Sequence, residues 1–399
     1  MIDYKISKRL EALSISATLA MTQKSRDLST QGYDVINLSI GEPDFDTPDF
    51  IKKAAIKAIQ ENWTHYPPVP GYPELRKAIS DKFLRENKLD VAPEQVVVST
   101  GAKQSLINVL LCVVNPDDEV IIPAPYWVSY IEMVKVAEGK PVVLPCGIES
   151  DFKLTPQQLE DAITPKTRAI IYSSPSNPTG SLYTKDELKA LADVLANHKD
   201  IIILSDEIYE HINFRGQHES IAQFPQVKDQ TVIINGVSKG YAMTGWRIGY
   251  IGAPLWIAKA CTKLQGQFTS GACSIAQKAA EAALNGGVEA SQKMTKIFKT
   301  RRDLFLNGIR EIPGMKVNEP GGAFYVFPEV TAYLGKSYKG KVIETSGDLA
   351  MYLLENTHVA TVGGDAFGAP ECLRFSYATS EENLEEALKR VKKSLSLLQ

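Results

Sequence analysis

One lysine stands in a setting that suits covalent chemistry. Lys239 follows an apolar run, lies between Ser238 and Gly240, and precedes Arg247 within a stretch rich in glycine and aromatic residues. A lysine in a loop is usually a solvated surface residue. In an apolar cleft, however, the pKa of its amine falls and the amine becomes a nucleophile toward carbonyl groups. Residues 236–250 therefore predict a reactive lysine beside an arginine.

Two other segments could hold charged partners. Asp206 follows an apolar run. It is either a helix N-cap or a partly desolvated carboxylate that pairs with a cation, since such burial is costly without a partner. Residues 99–105, STGAKQS, join a predicted strand to a predicted helix through Gly101. Gly101 either supplies conformational freedom to a turn or opens a helix start whose free N–H groups favour an anion such as phosphate. No P-loop or GxGxxG pattern is present, which argues against an NTPase or a simple dinucleotide enzyme.

A repeated unit of strand, loop and helix must position these residues. Short runs rich in valine and isoleucine occur at 95–100, 118–127, 167–180, 200–209 and 230–240. Continuous apolar runs indicate strands buried on both faces, and their alternation with helical patterns indicates a mostly parallel sheet. The predicted strand ends carry polar or aromatic residues: Gly101 to Lys103, Tyr126 and Trp127, Asn177, Asp206 with Tyr209, and Ser238 with Lys239. Because ligands of open α/β sheets bind beyond the carboxyl ends of the strands, we expect these segments to converge on one site.

The flanking regions differ from this unit. A helical pattern opens at Pro48, which suits a first helical position, and residues 65–76 form a proline-rich loop. A long helical pattern covers 289–312, and strand candidates follow at 321–330 and 372–378. The length of 399 residues and this change of pattern predict an α/β body with a smaller α+β segment.

Composition excludes several classes of protein. The 44 Lys and Arg against 47 Asp and Glu give a net charge of −3, so there is no electrostatic reason to bind nucleic acid or an anionic membrane. The longest apolar stretch, 106–114, is far shorter than the ~20 residues of a membrane span. The N-terminal stretch lacks the apolar core of a signal peptide, so we expect a structural arm and a cytoplasmic protein. The 5 histidines show no metal-ligand spacing and the 5 cysteines no CxxC pair, so we expect no metal and reduced thiols.

Several motifs, in order along the chain, resemble those of the class I/II aminotransferases, which are fold-type-I pyridoxal-phosphate enzymes. They are GEPDFDTP at 41–48, SPSNPTG at 174–180, SDEIYEH at 205–211, SKGYAMTGWRIGY at 238–250 and CLRFSYA at 372–378. The segments SATLAMTQK and PYWVSY and the lysine of STGAKQ are most similar to the prokaryotic aspartate aminotransferase subgroup Ib. The resemblance extends over essentially the whole chain.

This resemblance implies a fold-type-I architecture. A large domain would hold a mostly parallel seven-stranded sheet between helices, and a smaller α+β domain would be built from both chain ends. The implied boundaries are an N-terminal arm with part of the small domain at 1–48, the large cofactor-binding domain at 49–290 and the rest of the small domain at 291–399. A homodimer with shared active sites is also implied, because Tyr66 would reach the phosphate in the neighbouring subunit's site.

The resemblance also assigns roles around pyridoxal 5'-phosphate. Lys239 would hold the cofactor as a Schiff base and then shuttle protons, and Asp206 would keep the pyridinium nitrogen protonated so that the ring acts as an electron sink. Tyr209 and Asn177 would hydrogen-bond the phenolic oxygen, and Trp127 would stack on the ring. The phosphate would be held by Gly101, Ala102, Ser238 and Arg247.

Substrate contacts follow from the same resemblance. Arg374 would bind the α-carboxylate as a bidentate fork, helped by Asn177 and the backbone at Gly41, with Trp127 beside it. Lys103, which adjoins the cofactor, would meet the distal carboxylate of aspartate or glutamate.

The expected activity is ping-pong transfer of the amino group from aspartate or glutamate to a 2-oxo acid, 2-oxoglutarate or oxaloacetate. Aminotransferases for aromatic amino acids, alanine, kynurenine or prephenate on the same scaffold are alternatives, and prephenate also carries two carboxylates. A β-lyase with the same cofactor is a more remote one. A cofactor-binding transcription regulator would need an added DNA-binding domain, and the region before Gly41 is too short and too uncharged to supply it.

Overall fold

The fold is built around a seven-stranded sheet, seen in a computed structural model that describes residues 6–399. The first five residues of the predicted N-terminal arm lie outside the described residues. The strands, in chain order, are β1 Ile36–Asn37, β2 Val96–Ser99, β3 Glu119–Ala124, β4 Lys140–Pro145, β5 Thr167–Ser173, β6 Ile202–Asp206, β7 Thr231–Gly236, β8 Gly249–Gly252, β9 Tyr325–Val326, β10 Ser337–Tyr338, β11 Lys341–Val342, β12 Val359–Ala360, β13 Val362–Gly363 and β14 Leu373–Ser376.

The central sheet has the spatial order β2, β8, β7, β6, β5, β3, β4. Neighbours from β7 to β4 pair in parallel, whereas β8 is antiparallel to both β7 and β2. Every residue of β2, β3, β6 and β7 is buried, as continuous valine and isoleucine runs predict for strands covered on both faces. The prediction of a mostly parallel, seven-stranded α/β sheet is confirmed.

Two strands of this sheet are not among the valine- and isoleucine-rich runs identified in the sequence. One is β4, a partly exposed edge strand, and the other is β8, whose sequence GYIG contains two glycines. Glycine disfavours strands, but close packing requires it here, because a Cβ at Gly249 would collide with the backbone nitrogen of Ala102. The strand β8 therefore lies directly against the segment that follows β2.

Helices cover the sheet and the C-terminal region. They are α1 Lys8–Glu11, α2 Ala17–Thr30, α3 Asp49–Gln60, α4 Pro73–Lys82, α5 Ala102–Val113, α6 Ser129–Val136, α7 Pro156–Ala162, α8 Lys185–Leu195, α9 Leu255–Phe268, α10 Ser274–Asn285, α11 Glu289–Arg310, α12 Ser346–Thr357 and α13 Glu381–Leu395. Within the described part of the chain, no helix has the length and apolar character that a membrane crossing requires.

Two expectations about prolines need correction. The stretch 65–76 is only partly a loop, because α4 begins at Pro73, whose missing N–H suits a first helical position. Pro48 precedes α3 as its N-cap instead of occupying that position.

A smaller group of elements brings the two chain ends together. Strand β1 pairs in parallel with β12, with Ile36 opposite Val359. Strands β13, β14 and β9 form an antiparallel sheet, and the two strand candidates predicted near the C-terminus contain β9 and β14. The long helix predicted over 289–312 is α11. The domain boundaries at 48/49 and 290/291 stay predictions.

Candidate active site

Five strands of the central sheet end at one cavity of about 280 Å³. These are β2, β3, β5, β6 and β7, the strands whose ends carry the predicted polar segments. The predicted site residues that line the cavity are Gly41, Ala102, Lys103, Trp127, Asn177, Asp206, Tyr209, Ser238, Lys239, Arg247 and Arg374. Gly101 adjoins it, because a Cβ there would collide with the Arg247 guanidinium. The structure thus brings the predicted segments together, while the individual roles stay predictions.

Tyr66 lies apart from this cavity. It belongs to the connection between α3 and α4, and it is 96% exposed. Tyr66 does not line the cavity of its own chain. A single chain therefore does not test its predicted role in the site of a neighbouring subunit.

Lys239 extends from the loop after β7 into the cavity. Its Nζ donates to the backbone carbonyl of Gly41 at 2.5 Å and lies 5.7 Å from the centroid of the Tyr209 ring. Burial lowers the pKa of Lys239 to about 8; Glu42 opposes this shift, and Arg247 adds to it. Part of the amine is therefore unprotonated near neutral pH, which is the form that attacks a carbonyl.

Asp206 ends β6 as a buried carboxylate. Its Oδ2 accepts from the Tyr130 hydroxyl at 2.7 Å, and its Oδ1 accepts from the backbone N–H of Ile208 at 3.2 Å. Burial raises the pKa of Asp206 to about 6, against the lowering effect of both hydrogen bonds. No α-helix begins after Asp206 until Leu255, so the N-cap interpretation is wrong. The remaining interpretation of Asp206 is a desolvated carboxylate that pairs with a cationic ligand.

The start of α5 and Arg247 form a second polar edge. Gly101 is the N-cap of α5 with φ of +81°, a conformation that favours glycine. Arg247 donates from Nη1 to the carbonyl of Thr244 at 2.9 Å. The first N–H groups of a helix have no intrahelical acceptor, so together with the guanidinium they favour an anion at this edge.

Arg374, on β14, lines the same cavity. Its Nη1 donates to Asn177 Oδ1 at 2.9 Å and its Nη2 to the carbonyl of Ser39 at 2.6 Å, whereas its buried Nε has no hydrogen-bond partner among residues 6–399. Burial lowers the pKa of Arg374. Its carbonyl and amide partners are neutral, so the positive charge is left for an anion.

Four cationic side chains of the cavity have no ion pair with a carboxylate among residues 6–399. They are Lys103, Lys239, Arg247 and Arg374. Lys103 lies above Trp127, with Nζ 4.9 Å from the ring centroid, and burial lowers its pKa, with a smaller contribution from Arg247. Positive charges without ion pairs in a largely buried cavity favour a ligand with several negative groups.

The cavity contains residues that the sequence analysis missed. Tyr130 and Tyr325 each make a hydroxyl contact with a predicted site residue, and Ser16, Thr18 and Leu19 line the cavity from the N-terminal segment. A tyrosine near the end of an apolar run is indistinguishable from a core residue in a single sequence. Tyr130 and the N-terminal residues do fall in PYWVSY and SATLAMTQK, two of the segments that carry the family resemblance.

Comparisons with known proteins agree with this geometry. A family model described as aminotransferase class I and II matches residues 33–391. The chain is 51% identical to a probable aspartate/prephenate aminotransferase of Rhizobium leguminosarum bv. phaseoli, over 97% of this chain and 98% of that protein. It is 47% identical to an aspartate aminotransferase of Bacillus subtilis, over 98% of each.

Solved structures give the same result. The aspartate aminotransferase of Rhizobium meliloti superposes with a TM-score of 0.96 at 44% identity, over 99% of this chain and 100% of that chain. The aspartate aminotransferase of Thermus thermophilus with maleate gives 0.91 at 41% identity, over 98% and 100%. The fold is that of a fold-type-I transferase, and the chain belongs to the class I and II aminotransferase family.

Proposed function

We propose that the protein transfers the amino group of aspartate or glutamate to a 2-oxo acid, with pyridoxal 5'-phosphate as cofactor, in a ping-pong reaction. The observation that carries this proposal is a cavity in which a lysine of lowered pKa, a buried carboxylate and three further cations lie together, and none of the four cations has an ion pair among residues 6–399. The phosphate and two substrate carboxylates account for that excess of positive charge.

The residues present fit this cofactor. Its phosphate would be held at the start of α5 by Gly101, Ala102, Ser238 and Arg247, where the glycine leaves room beside the guanidinium. Lys239 would bond to its carbonyl carbon, and Asp206 would face its pyridine nitrogen. When bound, the cofactor supplies a carbonyl that takes up the amino group and a ring that accepts electrons from the substrate carbon.

The chain's own groups do the proton chemistry. Lys239 holds or releases a proton at Nζ near neutral pH, because its pKa is about 8. Asp206, with a pKa of about 6, is ionised above that pH, so its carboxylate would accept a hydrogen bond from the protonated ring nitrogen of the cofactor. Tyr130 and the N–H of Ile208 fix the orientation of this carboxylate.

Each of the two substrate carboxylates is bound by a different cation. Arg374 binds the α-carboxylate with its unpaired positive charge, and its contacts to Asn177 and Ser39 hold the guanidinium in place. Lys103 binds the distal carboxylate from the start of α5, where its charge opposes the helix dipole and gains from an anionic partner. A flexible ammonium makes the preference for acidic donors moderate.

A second candidate substrate is prephenate, which also carries two carboxylates. It is favoured by the name of the Rhizobium leguminosarum relative, an aspartate/prephenate aminotransferase. The remote alternative, a β-lyase, would release pyruvate and ammonia without any 2-oxo acid acceptor.

Assembly and location form a further part of the proposal. We place the protein in the cytoplasm as a homodimer with shared active sites, in which Tyr66 contacts the cofactor phosphate of the neighbouring subunit. The exposure of Tyr66 and the family resemblance support this assembly.

A donor panel with a Lys103→Ser variant tests the substrate assignment. The amino donors are aspartate, glutamate, alanine and phenylalanine, each assayed with 2-oxoglutarate or oxaloacetate as acceptor. Prephenate is tested as an alternative acceptor. We expect Lys103→Ser to lower kcat/KM for aspartate by about 10–100-fold, the cost of a charge-assisted contact, and to leave alanine and phenylalanine nearly unchanged.

The matched control is Lys185→Ser, which removes an exposed lysine at the start of α8. It should leave every donor unchanged. Equal losses for aspartate and alanine in Lys103→Ser would assign Lys103 to the cofactor and remove the main support for dicarboxylate specificity.

A further inference from the structure

Tyr325 is a buried residue that contacts two different parts of the site at once. It lies in β9, opposite Ser376 of β14, with no exposed surface. The Cζ atom of Arg374 is 4.6 Å from the centroid of its ring, and its hydroxyl oxygen is 2.8 Å from that of Tyr209. Neither contact follows from the roles proposed above.

The ring of Tyr325 covers one face of the Arg374 guanidinium. Phe367 provides a second aromatic ring, with its centroid 4.9 Å from Cζ. Aromatic rings attract a cation through their quadrupoles, most strongly where water is excluded. Since Nε has no partner, stacking can fix the plane of the guanidinium without consuming its donors.

The hydroxyl of Tyr325 is paired with that of Tyr209. The two rings meet edge to face, with centroids 5.8 Å apart and planes at 78°. Burial raises the pKa of both hydroxyls, so both keep their protons and one donates to the other. When Tyr325 is the donor, the proton of Tyr209 is available to an acceptor in the cavity.

Gly41 provides the space for this hydroxyl. A Cβ at Gly41 would lie 2.6 Å from the Tyr325 hydroxyl oxygen. The Gly41 carbonyl in turn accepts the hydrogen bond from Lys239. The hydroxyl therefore packs against the segment that orients the reactive lysine.

We propose that Tyr325 is a positioning residue that couples the carboxylate-binding arginine to the tyrosine beside the cofactor. Its ring holds Arg374 in the plane that meets the substrate carboxylate. Its hydroxyl donates to Tyr209 and leaves the Tyr209 proton for the phenolic oxygen of the cofactor. This inference rests on the proposed function, which assigns those partners to Arg374 and Tyr209.

Two substitutions separate the ring from the hydroxyl. In the holoenzyme, we expect Tyr325→Phe to raise the apparent pKa of the cofactor's visible absorbance by about 0.5–1 unit, the effect of one lost hydrogen bond. Its affinity for maleate, a dicarboxylate without an amino group, should stay within about twofold because the ring remains. Tyr325→Leu should also weaken maleate binding by about 5–30-fold.

Tyr377→Phe is the matched control. It removes another buried hydroxyl of the same core, which donates to the carbonyl of Ala323 at 3.2 Å and lies outside the cavity lining. Both readouts should equal those of the wild type.

An unchanged absorbance pKa in Tyr325→Phe overturns the proposal, and an equal shift in Tyr377→Phe overturns it too, because that shift would reflect general loosening of the core. Unchanged maleate affinity in a folded Tyr325→Leu variant overturns the role of the ring. If Tyr325→Leu does not fold, the apparent pKa of the cofactor absorbance in Tyr325→Phe still tests the role of the hydroxyl. Failure of the proposed function is visible separately, since borohydride would then leave no stable cofactor label on Lys239 of the wild type.

Discussion

Asp206 carries a charge in a place that disfavours it. The side chain is 4% exposed, and burial raises its pKa from 3.8 to about 6. Between these two values, the folded chain without cofactor binds more protons at this group than the unfolded chain does. Stability from this group is therefore fully present below pH 4 and is lost as the pH rises to about 6.

We expect Asp206→Asn to stabilise the cofactor-free protein at pH 8. A shift of about two pKa units corresponds to roughly 2–3 kcal/mol, and the gain should shrink toward zero near pH 4. The same substitution should slow the chemical step of the holoenzyme, because it removes the carboxylate that we propose keeps the ring nitrogen of the cofactor protonated. Urea unfolding of the cofactor-free forms across pH 4–8 measures the first effect, and single-turnover kinetics measure the second.

Asp229→Asn serves as the control, since Asp229 is exposed and near the start of β7. It should give no pH-dependent gain. A constant stability difference for Asp206→Asn from pH 4 to pH 8 would show that the buried charge carries no cost.

At this scale, the sequence predicts residues with distinctive chemistry and misses those whose chemistry depends on neighbours. Lys239, Asp206 and the STGAKQS turn could be identified from their positions at strand ends. Arg374 required the family resemblance, because an arginine within CLRFSYA has no local signal of an anion site. Tyr130 and Tyr325 have no local signal of a site role, because their hydroxyl contacts join segments far apart in the chain, although Tyr130 falls in a segment that carries the family resemblance.

A buried ion pair ties α4 to the ends of the central strands. Lys82 is fully buried and contacts Glu210, the fourth residue after β6, while also donating to Asn87 Oδ1 at 2.8 Å. Asn235 of β7 donates to Glu210 Oε1 at 2.8 Å. Burial favours the neutral acid, but Lys82 and His211 hold the pKa of Glu210 well below its usual range. The network thus joins α4 to β7, which precedes Lys239, and to the segment that follows Asp206.

We expect Lys82→Met to destabilise the protein by about 3–5 kcal/mol at neutral pH, because the buried Glu210 loses its nearest cation and keeps the more distant His211 at 3.8 Å. Adding Glu210→Gln should recover part of this loss, since the charge is then removed. Urea unfolding of both single variants and the double variant gives the coupling energy.

Lys77→Met is the control on the same helix. Its ion pair with Asp81, at 2.7 Å, lies on the surface, where such pairs contribute about 0–1 kcal/mol. A double variant no more stable than Lys82→Met would show that the lysine acts through packing and not through its charge.

The elements themselves differ in how well the sequence predicts them. Long periodic patterns, such as α11, and continuous apolar runs, such as β6, agree with the structure. The sequence does not predict strand β8, because packing against α5 requires glycine where strands usually have valine or isoleucine. The proline at the start of α4 resembles those of the preceding loop, so its position alone does not show where the helix begins.

Across the whole molecule, the site joins segments from both ends of the chain. Gly41, near the N-terminus, and Arg374, near the C-terminus, face residues of the central sheet in the same cavity. The pairing of β1 with β12 holds these two ends together. One predicted site residue remains outside this arrangement, namely Tyr66, which projects into solvent from a segment stiffened by neighbouring prolines.

Subunit mixing tests whether Tyr66 serves the site of a second chain. We expect a mixture of Tyr66→Phe and Lys239→Ala proteins to gain activity above the sum of the separate proteins. If Tyr66 acts across the interface, one site of each heterodimer carries both defects and the other carries neither. Random exchange of equal amounts then makes about a quarter of all sites intact, because half of the dimers are mixed.

Mixing the double variant Tyr66→Phe/Lys239→Ala with the wild type reverses this outcome. A tyrosine that acts across the interface leaves each site of the heterodimer with one defect, so the intact fraction of all sites falls from about a half to about a quarter as subunits exchange. A tyrosine that acts within its own subunit keeps one intact site per heterodimer, and the first mixture then gains nothing. Native mass spectrometry verifies the exchange in both mixtures. Since the two mixtures contain the same substitutions in equal amounts, they differ only in which chain carries each substitution, and general damage to folding would affect both alike.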